Sequence, residues 1–575
     1  MLVRAILVSL TVLAFLCQAQ AQSAAPIIAQ PARLQPVLAL HGMVASQESR
    51  ASRIGVDVLA RGGNAVDAAV AVGFALAVTL PRAGNLGGGG FMLVHLAGRG
   101  ETIAIDYRET APAAISRDSF LDASGKPDPR KSRDSALAVG VPGTVAGLAL
   151  ALEKYGSGRF SLAELIAPAI ELARDGFPVE DDLADSLPHA QMRLVRWPSA
   201  AKIFLKADGV ALSRGDKLVQ RDLAQSLAAI AREGPSAFYA GAIGEKIVAS
   251  LKEAGGVMTR EDLRRYRAIE RAPVRGNYRG YDVLSMPPPS SGGVHLIELL
   301  NMLEGFPLAE MGAGSAASLH VMIEAMKLAY ADRAAFLGDP DFVPVPVKGL
   351  ISKAYAAERR LRIDPERARP AAEIKAGEPS LFESDHTTHF SVVDRFGNAV
   401  ANTTTLNFSY GLGLVAEGTG ILLNNELDDF AAAPDAPNAY GLTGGEANAP
   451  GAGRRPLSSM TPTILLKDGR VALVTGSPGG SRIITTVLQV VLNVIDHKLS
   501  IAEAVAAPRI HHQWTPDEAR AERGFSPDTL RLLRARGHNV VPGAAWGSAN
   551  SIQATAEGLA GAADPRQRGT LAAGY

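Results

Sequence analysis

Two adjacent threonines, Thr387 and Thr388, stand where a loop-like segment meets a strand-like one. Residues 367–385 are polar and include proline, whereas the residues after the pair alternate in polarity and favour strands. A threonine hydroxyl at such a junction can attack the carbonyl carbon just before it, so that the acyl group moves from nitrogen to oxygen. Hydrolysis of that ester would leave a new chain beginning with the threonine. An ordinary strand start is the alternative interpretation.

A threonine freed at this junction would carry its own base. Its α-amine has an unperturbed pKa of about 7.7–8.0 and could accept the hydroxyl proton directly or through water. The stretch therefore offers a cleavage site between His386 and Thr387 and, after cleavage, a nucleophile with a built-in base.

The elements around the junction predict which groups would reach it. Residues 388–394 and 399–406 read as two strands joined by a short turn, which predicts a hairpin. In an antiparallel pair the far end of the second strand returns beside the start of the first. Thr405 and Asn407 would then lie near Thr387.

Charged residues at two strand ends have two interpretations each. Arg108 ends a predicted strand at 102–107, and a solvated charge is the more common use, although a planar fork aimed at a carboxylate is possible. Glu426 and Asp429 follow a short predicted strand at 421–423. Acidic turn residues are usually solvated, but this spacing would also let one turn present both carboxylates to an ammonium group.

Two loops carry further candidates. Ser458 and Ser459, with their neighbouring amides, could hold an anion. Residues 434–450 are rich in glycine, proline and asparagine and contain one aromatic residue, Tyr440. This segment could be a lid or a long loop.

Two glycine-rich stretches differ in what they predict. The run at 84–90 lacks the lysine and the following helix of a phosphate-binding loop, so we expect close backbone packing or a tight turn before a strand. Gly479 and Gly480 lie between a predicted strand at 471–475 and a predicted helix at 482–496. Their amides could form an oxyanion hole at the positive end of the helix, although a plain turn is the more common use of this pattern.

Helical periodicity is strongest in the first half of the chain. Residues 45–80 read as two helices separated at 61–64, and the second is apolar enough to be buried on several sides. Further helices are predicted at 143–155, 161–175, 221–233, 240–254, 294–304 and 316–337.

Composition excludes some classes of partner. The chain has 575 residues, 47% of them apolar, and its 58 basic and 58 acidic side chains cancel. This balance argues against nucleic acid and anionic membrane surfaces and favours a small neutral or zwitterionic ligand. The eleven histidines are scattered, and His511 and His512 have no ligand-spaced partner, so no metal and no other cofactor is predicted.

The first residues predict export. Residues 1–21 combine Arg4, an apolar run at 5–16 and a small-residue cleavage site at 19–21, as in a secretory signal, and the run is too short to span a bilayer. Cys17, the single cysteine, would leave with this signal. We therefore predict a periplasmic or secreted protein without disulfides or a membrane span.

Four stretches in this order resemble the γ-glutamyltransferases (γ-glutamyltranspeptidases), a family of N-terminal nucleophile hydrolases. They are 387–389, 423–430, 455–460 and 475–482. The likeness covers almost all of the chain after residue 21, including the glycines at 87–90 and residues 106–109.

The resemblance implies an α+β fold, a four-layer αββα sandwich. After a signal peptide at 1–21, a large subunit at 22–386 and a small subunit at 387–575 would form one interlocked domain and remain together as a heterodimer from one precursor. It also implies a role for each candidate residue: nucleophile, Thr387; support of the nucleophile in processing and turnover, Thr405; α-carboxylate binding, Arg108, Ser458 and Ser459; α-ammonium binding, Asn407, Glu426 and Asp429; oxyanion binding, Gly479 and Gly480; lid aromatic, Tyr440.

The implied activity is γ-glutamyl transfer. Thr387 would attack the γ-amide of glutathione or a related donor, release Cys-Gly and form a γ-glutamyl ester, which water, an amino acid or a dipeptide would resolve. Bacterial relatives often carry glutamine where this chain has Glu426, and the added charge could alter acceptor preference.

Two other functions remain open on the sequence. One is an amidase acting on an acyl side chain, such as a glutaryl cephalosporin acylase, although Asp429 would then have no ammonium to pair with. The other is a periplasmic binding protein that captures glutamyl peptides without turnover, which would give no reason for the Thr387 junction.

Overall fold

Two seven-stranded sheets, antiparallel throughout, lie at the centre of this computed structural model, which describes residues 35–378, 388–433 and 445–575. The first sheet comprises, in spatial order, Leu571–Gly574, Met43–Ser46, Thr388–Val393, Ala399–Thr405, Gly89–Leu96, Glu101–Asp106 and Ile269–Arg271. The second sheet comprises Val37–Ala39, Gly558–Ala562, Ser551–Thr555, Arg470–Thr475, Thr463–Lys467, Tyr281–Ser285 and Val274–Tyr278. Smaller sheets pair Phe177–Pro178 with Lys217–Leu218, Val415–Ala416 with Ile421–Leu422, and Ile510–His511 with Ala519–Glu522 and Val540–Gly543.

The two sheets face each other across a shared apolar layer. Successive side chains of a strand point to opposite faces, and in Gly89–Leu96 every residue is buried. Phe91 and Leu93 pack into the layer between the sheets, together with Ile464 of the second sheet. Met92 and Val94 point away from this layer into a separate core. Each sheet is therefore covered on both faces.

Helices cover the outer face of the first sheet. The innermost is Ala65–Thr79, in which every residue is buried, and Asn64 caps it by accepting hydrogen bonds from the amides of Val66 and Asp67. Around it lie Ser49–Ala60, Thr144–Tyr155, Leu162–Asp175, Asp181–Leu194, Pro198–Phe204, Arg221–Glu233, Ser236–Tyr239, Ala242–Glu253 and Arg260–Arg265.

A second helical layer covers the outer face of the second sheet. It is built on Gly292–Leu303, Ala316–Phe336 and Arg482–Ile495, whose apolar side chains pack with Val283 and Leu465 of the sheet. The other helices of the described ranges are Pro129–Arg133, Leu308–Met311, Val347–Leu350, Lys353–Arg360, Ile501–Ala506 and Pro527–Ala535. The order of layers is α, β, β, α, which confirms the predicted fold class.

The predicted helices and the hairpin at Thr388 are confirmed to within a few residues. The other helices, among them Asp181–Leu194, and the strands around residue 280 were not predicted. Asp181–Leu194 contains Pro188, a helix breaker in sequence, yet one face of the helix is buried through Leu187 and Leu194. Val274–Tyr278 is an edge strand whose Arg275-Gly276-Asn277 core has low strand propensity.

In the described part of the chain, no helix has both the length and the apolar character needed to cross a membrane.

Candidate active site

The strand that begins at Thr388 defines one edge of the site. Thr387 and His386 lie outside the described residues, as does Tyr440. Thr388 pairs with Thr404 in the antiparallel register, and its hydroxyl donates to Oε1 of Gln47 at 2.8 Å. The predicted return of the second strand is therefore correct, and Thr405 is its last residue.

Thr405 and Asn407 are held together at the end of this hairpin. The amide of Asn407 donates to Oγ1 of Thr405 at 2.8 Å, with Asn407 in the left-handed region at φ +70°. The side-chain amide of Asn407 donates to the carbonyl of Asn425 at 2.9 Å. Asn407 thus links the hairpin to the turn that carries Glu426 and Asp429.

The glycine run packs directly against the hairpin. A Cβ at Gly88 would lie 1.9 Å from the carbonyl oxygen of Thr405, and one at Gly89 would lie 2.5 Å from that of Tyr107. Asn85 fixes the same carbonyl of Thr405 through a 2.6 Å hydrogen bond from its side-chain amide. The prediction of close backbone packing is confirmed, since any side chain at Gly88 would displace Thr405.

Arg108 lies in a closed ionic cluster with the two predicted acids. Its Nη1 is 2.5 Å from Oε1 of Glu426 and its Nη2 is 2.6 Å from Oδ2 of Asp429, and none of the three side chains has exposed surface. The first interpretation from sequence, a solvated arginine and solvated acids, is wrong. The alternative of a planar fork aimed at carboxylates matches the structure.

Burial and charge oppose each other in this cluster. Burial alone lowers the pKa of Arg108, but Glu426 and Asp429 outweigh it and raise the pKa above its ordinary value. Burial raises the pKa of Glu426 well above its ordinary value, although Arg108 opposes this rise. The guanidinium therefore stays charged, whereas the pKa of the Glu426 carboxyl lies above its usual range.

The backbone of the loop that carries the predicted serines contacts Arg108. Nε of Arg108 donates to the carbonyl of Pro456 at 2.9 Å, and Ser458 and Ser459 are fully buried two and three residues further on. Oγ of Ser459 accepts a 2.7 Å hydrogen bond from Nη2 of Arg333.

Sequence reasoning missed Arg333. It lies in Ala316–Phe336, where it is fully buried, so a second guanidinium stands beside the predicted anion site. Arginine is almost never fully buried without a partner, but this helix also carries Glu324, Lys327 and Asp332, so the sequence offers no separate signal for this arginine.

The glycine turn after Arg470–Thr475 completes the site. Gly479 and Gly480 have φ values of +135° and +66°, and the amide of Ile483, in the first turn of Arg482–Ile495, donates to the carbonyl of Gly480 at 2.9 Å. The predicted order of strand, glycine turn and helix is confirmed.

This turn packs on the hairpin. A Cβ at Gly476 would lie 2.4 Å from Nδ1 of His389, and a cleft of about 810 Å³ is lined by both Gly479 and Asn407.

His389 is a neutral structural group. Its ring nitrogens lie 3.0 Å from the hydroxyls of Thr403 and Ser391, and burial lowers its pKa to about 3.

The structure thus brings the hairpin end, the acidic turn, Arg108, the serine loop and the glycine turn to one region. Within the described ranges, no group of three or more His, Cys, Asp or Glu side chains is arranged to hold a metal ion.

Comparison with known proteins agrees with this arrangement. The sequence matches the gamma-glutamyltranspeptidase family over residues 51–574. It is 56% identical over 541 residues to the glutathione hydrolase proenzyme of Escherichia coli (strain K12), covering 94% of this chain and 93% of that protein.

Two solved structures extend the comparison. The chain is similar to the cephalosporin acylase of Bacillus halodurans with a TM-score of 0.84 at 29% identity, covering 97% of this chain and 99% of that one. It is also similar to the gamma-glutamyltranspeptidase of Helicobacter pylori, with a TM-score of 0.57 at 47% identity, covering 60% of this chain and 96% of that one.

Proposed function

The chain belongs to the gamma-glutamyltranspeptidase family, and from that premise we propose that Thr387 is its nucleophile and the first residue of its small subunit. The resemblance found in the sequence is confirmed. The protein is an enzyme, a γ-glutamyltransferase and glutathione hydrolase. The observation that carries the residue assignment is the hairpin register, in which one further antiparallel step after Thr388–Thr404 would set Thr387 opposite Thr405.

In the first stage the precursor cleaves itself. The hydroxyl of Thr387 attacks the carbonyl carbon of His386, the peptide nitrogen of Thr387 leaves and takes up the proton, and water hydrolyses the ester. Thr405 supports the threonine at the hairpin end, where its own position is fixed by Asn85 and Gly88.

In the second stage the donor binds by its two α-charges. The α-carboxylate of a γ-glutamyl group meets Arg108, Ser458 and Ser459, and the α-ammonium meets Asn407, Glu426 and Asp429. A mixed cluster of one guanidinium and two carboxylates suits a ligand that carries both charges on one carbon. The γ-amide then lies over Thr387.

Chemistry proceeds through an ester. The free α-amine of Thr387 takes the hydroxyl proton, the hydroxyl oxygen attacks the γ-carbonyl, and Cys-Gly leaves from glutathione with that proton. The amides of Gly479 and Gly480 bind the oxyanion, a role in which losing one donor typically costs about 2.7–4 kcal/mol. Water or the amine of an amino acid or dipeptide resolves the ester.

The subunit arrangement follows from the same proposal. Residues 1–21 are a signal peptide, which lies outside the described residues, and export would deliver the protein to the periplasm or the medium. Residues 22–386 and 387–575 are the large and small subunits. The first sheet contains strands from both parts, and Met43–Ser46 lies between Leu571–Gly574 and Thr388–Val393; this interlocking would hold the cut halves together.

The test is electrophoresis of the purified protein under denaturing conditions, with N-terminal sequencing of the smaller band. We expect two bands, the smaller beginning Thr-Thr-His-Phe-Ser. A single uncut chain with full γ-glutamyl hydrolase activity would overturn the assignment of Thr387.

A glutaryl acylase is the second candidate, because the TM-score with a cephalosporin acylase is 0.84. Glu426 and Asp429 weigh against it, since a glutaryl group brings no ammonium to compensate two buried acids. Rates on γ-glutamyl and glutaryl anilides compare the two directly, and faster hydrolysis of the glutaryl anilide would favour the acylase.

A further inference from the structure

One buried carboxyl group beside the donor cluster of Arg108, Glu426 and Asp429 has no role in the steps above. Glu109 follows Arg108 in sequence, and its side chain has no exposed surface. Neither oxygen of Glu109, nor Oε2 of Glu426, has a hydrogen-bond donor among the described residues. Buried carboxylate oxygens without a donor are costly, so these atoms need a physical explanation.

The backbone makes room for Glu109 at this position. A Cβ at Gly89 would lie 2.6 Å from Oε2 of Glu109, and one at Gly140 would lie 2.8 Å from its Cβ. Oε2 of Glu109 is 3.9 Å from Nη1 of Arg108, the nitrogen that also binds Glu426. The carboxyl groups of Glu109 and Glu426 therefore share one guanidinium nitrogen, from which Oε1 of Glu426 lies at 2.5 Å. Two ionised carboxylates beside one nitrogen repel each other and have no hydrogen to share, whereas a proton on one of them would let it donate to the other.

Charge counting also favours a proton on one of these acids. With all acids ionised, the three carboxylates around Arg108 would leave an excess of two negative charges at this one guanidinium; the second guanidinium of the region, Arg333, donates to Ser459. The nearby Tyr107, Tyr239 and Tyr266 do not alter this count, because burial raises their pKa values and keeps them neutral.

The remaining acid of the turn, Asp428, is paired with Arg133 at 3.1 Å and does not change the balance.

We propose that Glu109 is a positioning residue that shares one proton with Glu426, so that the empty ammonium site carries one net negative charge, the complement of a single α-ammonium. The inference rests on the proposed function, which places the donor's ammonium at Glu426 and Asp429. The shared proton forms one O–H···O hydrogen bond that engages one oxygen of each carboxyl group and orients the Glu426 carboxyl between Glu109 and Arg108.

This arrangement predicts a specific pH dependence. Burial raises the pKa of Glu109 to about 7, with Arg108 opposing the rise. As pH rises through this region the pair loses its proton, and a second negative charge then faces the α-ammonium. Donor binding strengthens, and by linkage the binding of an ammonium expels the proton.

The test compares the matured wild-type enzyme with Glu109→Gln. The glutamine keeps the volume and donates an N–H to Glu426, which favours the ionised form of Glu426 and removes the proton that the pair would share. The donor KM of the wild type should fall about threefold or more between pH 6 and 8.5, as expected for one added charge near the ligand. Because the α-amine of Thr387 is common to both proteins, the KM of Glu109→Gln should lose only this threefold fall. A variant profile that matches the wild type would overturn the proposal.

A second readout is independent of turnover. L-Glutamate, which carries the same α-ammonium and α-carboxylate, is titrated calorimetrically at pH 7 in two buffers with different ionisation enthalpies. The wild type should release a fraction of a proton on binding and Glu109→Gln should release none. Equal release by both proteins would contradict the shared proton.

Two further variants keep the outcome interpretable. Glu298→Gln removes another fully buried acid, on Gly292–Leu303, and should keep the wild-type pH profile. If Glu109→Gln does not mature, Glu426→Gln replaces the other member of the pair and should also lose the ionisation. Arg108→Ala separates the proposed donor site from the proposed shared proton. An unchanged KM in Arg108→Ala contradicts the donor site itself. A raised KM in Arg108→Ala, together with a wild-type pH dependence of the KM in Glu109→Gln, contradicts the shared proton alone.

Discussion

Arg108 and Glu426, 318 positions apart in the sequence, form an ion pair with no exposed surface, with Nη1 of the arginine 2.5 Å from Oε1 of the acid. Desolvating two charges offsets much of their attraction, so such a pair is weak evidence for stability. In the proposed function this pair presents preformed charges to a zwitterionic donor, and the groups need no rearrangement from water when the donor arrives.

Replacing Thr387 by alanine should abolish both self-cleavage and activity, because one hydroxyl performs both attacks. Electrophoresis and hydrolysis of a γ-glutamyl anilide measure the two steps. Thr388→Val is the matched control: it removes the hydroxyl that donates to Gln47 but leaves the nucleophile, and it should still be cut. A processed and active Thr387→Ala protein would contradict the assignment.

Arg108→Ala should raise the donor KM by a hundredfold or more, since charge-assisted contacts are worth about 1.5–3 kcal/mol each and at least two are lost. It should also lower the free energy of unfolding by about 3–5 kcal/mol, because Glu426 and Asp429 would be left buried without their cation. Arg108→Lys keeps the charge but not the planar fork, so an intermediate KM is expected. Steady-state kinetics and urea unfolding measure both effects, and a KM unchanged in both variants would rule out the carboxylate role.

Gly88→Ala should destabilise the protein and slow self-cleavage. Its Cβ would lie 1.9 Å from the carbonyl oxygen of Thr405, so the end of the hairpin must move. Overpacking of this kind costs about 1–3 kcal/mol. Thermal unfolding and the time course of cleavage measure the effect. Gly98→Ala is the control, because a Cβ there meets nothing within 4 Å. Equal behaviour of the two variants would show that the close approach at Gly88 is not required.

Acid should destabilise the fold through buried neutral histidines. Burial lowers the pKa of His389 from 6.5 to about 3, and the pKa values of His295 and His511 also fall to about 3. Between pH 6.5 and 3 the unfolded chain therefore binds protons that the folded chain excludes. The stability that these neutral histidines contribute is fully present above pH 6.5 and is lost as pH falls.

Between pH 6.5 and 3, each of these histidines should lower the free energy of unfolding by about 1.4 kcal/mol for each pH unit of acidification. Urea unfolding at pH 6.5 and pH 5 should show a loss of about 2 kcal/mol for each histidine. His389→Gln should reduce this loss of unfolding free energy by the contribution of one histidine. An unchanged loss would show that His389 is not responsible.

Local sequence patterns were sufficient to predict the features that depend only on residues close together in the chain. The alternation after Thr388 predicted the hairpin, and the break between helices at 61–64 and the glycine turn at Gly479 and Gly480 were predicted in the same way. Each of these features depends on backbone propensity over a few residues. The four ordered motifs were distinctive enough to indicate the family by themselves.

Only the tertiary structure decided the environment of the charges. Arg108 reads as a solvated strand end because sequence shows a side chain's type and not what packs around it. Its burial, the carboxylates of Glu426 and Asp429 beside it, and the approach of Arg333 to Ser459 arise from contacts between residues over a hundred positions apart. Desolvation and long-range Coulomb interactions set these properties, and both depend on the packed fold rather than on local sequence.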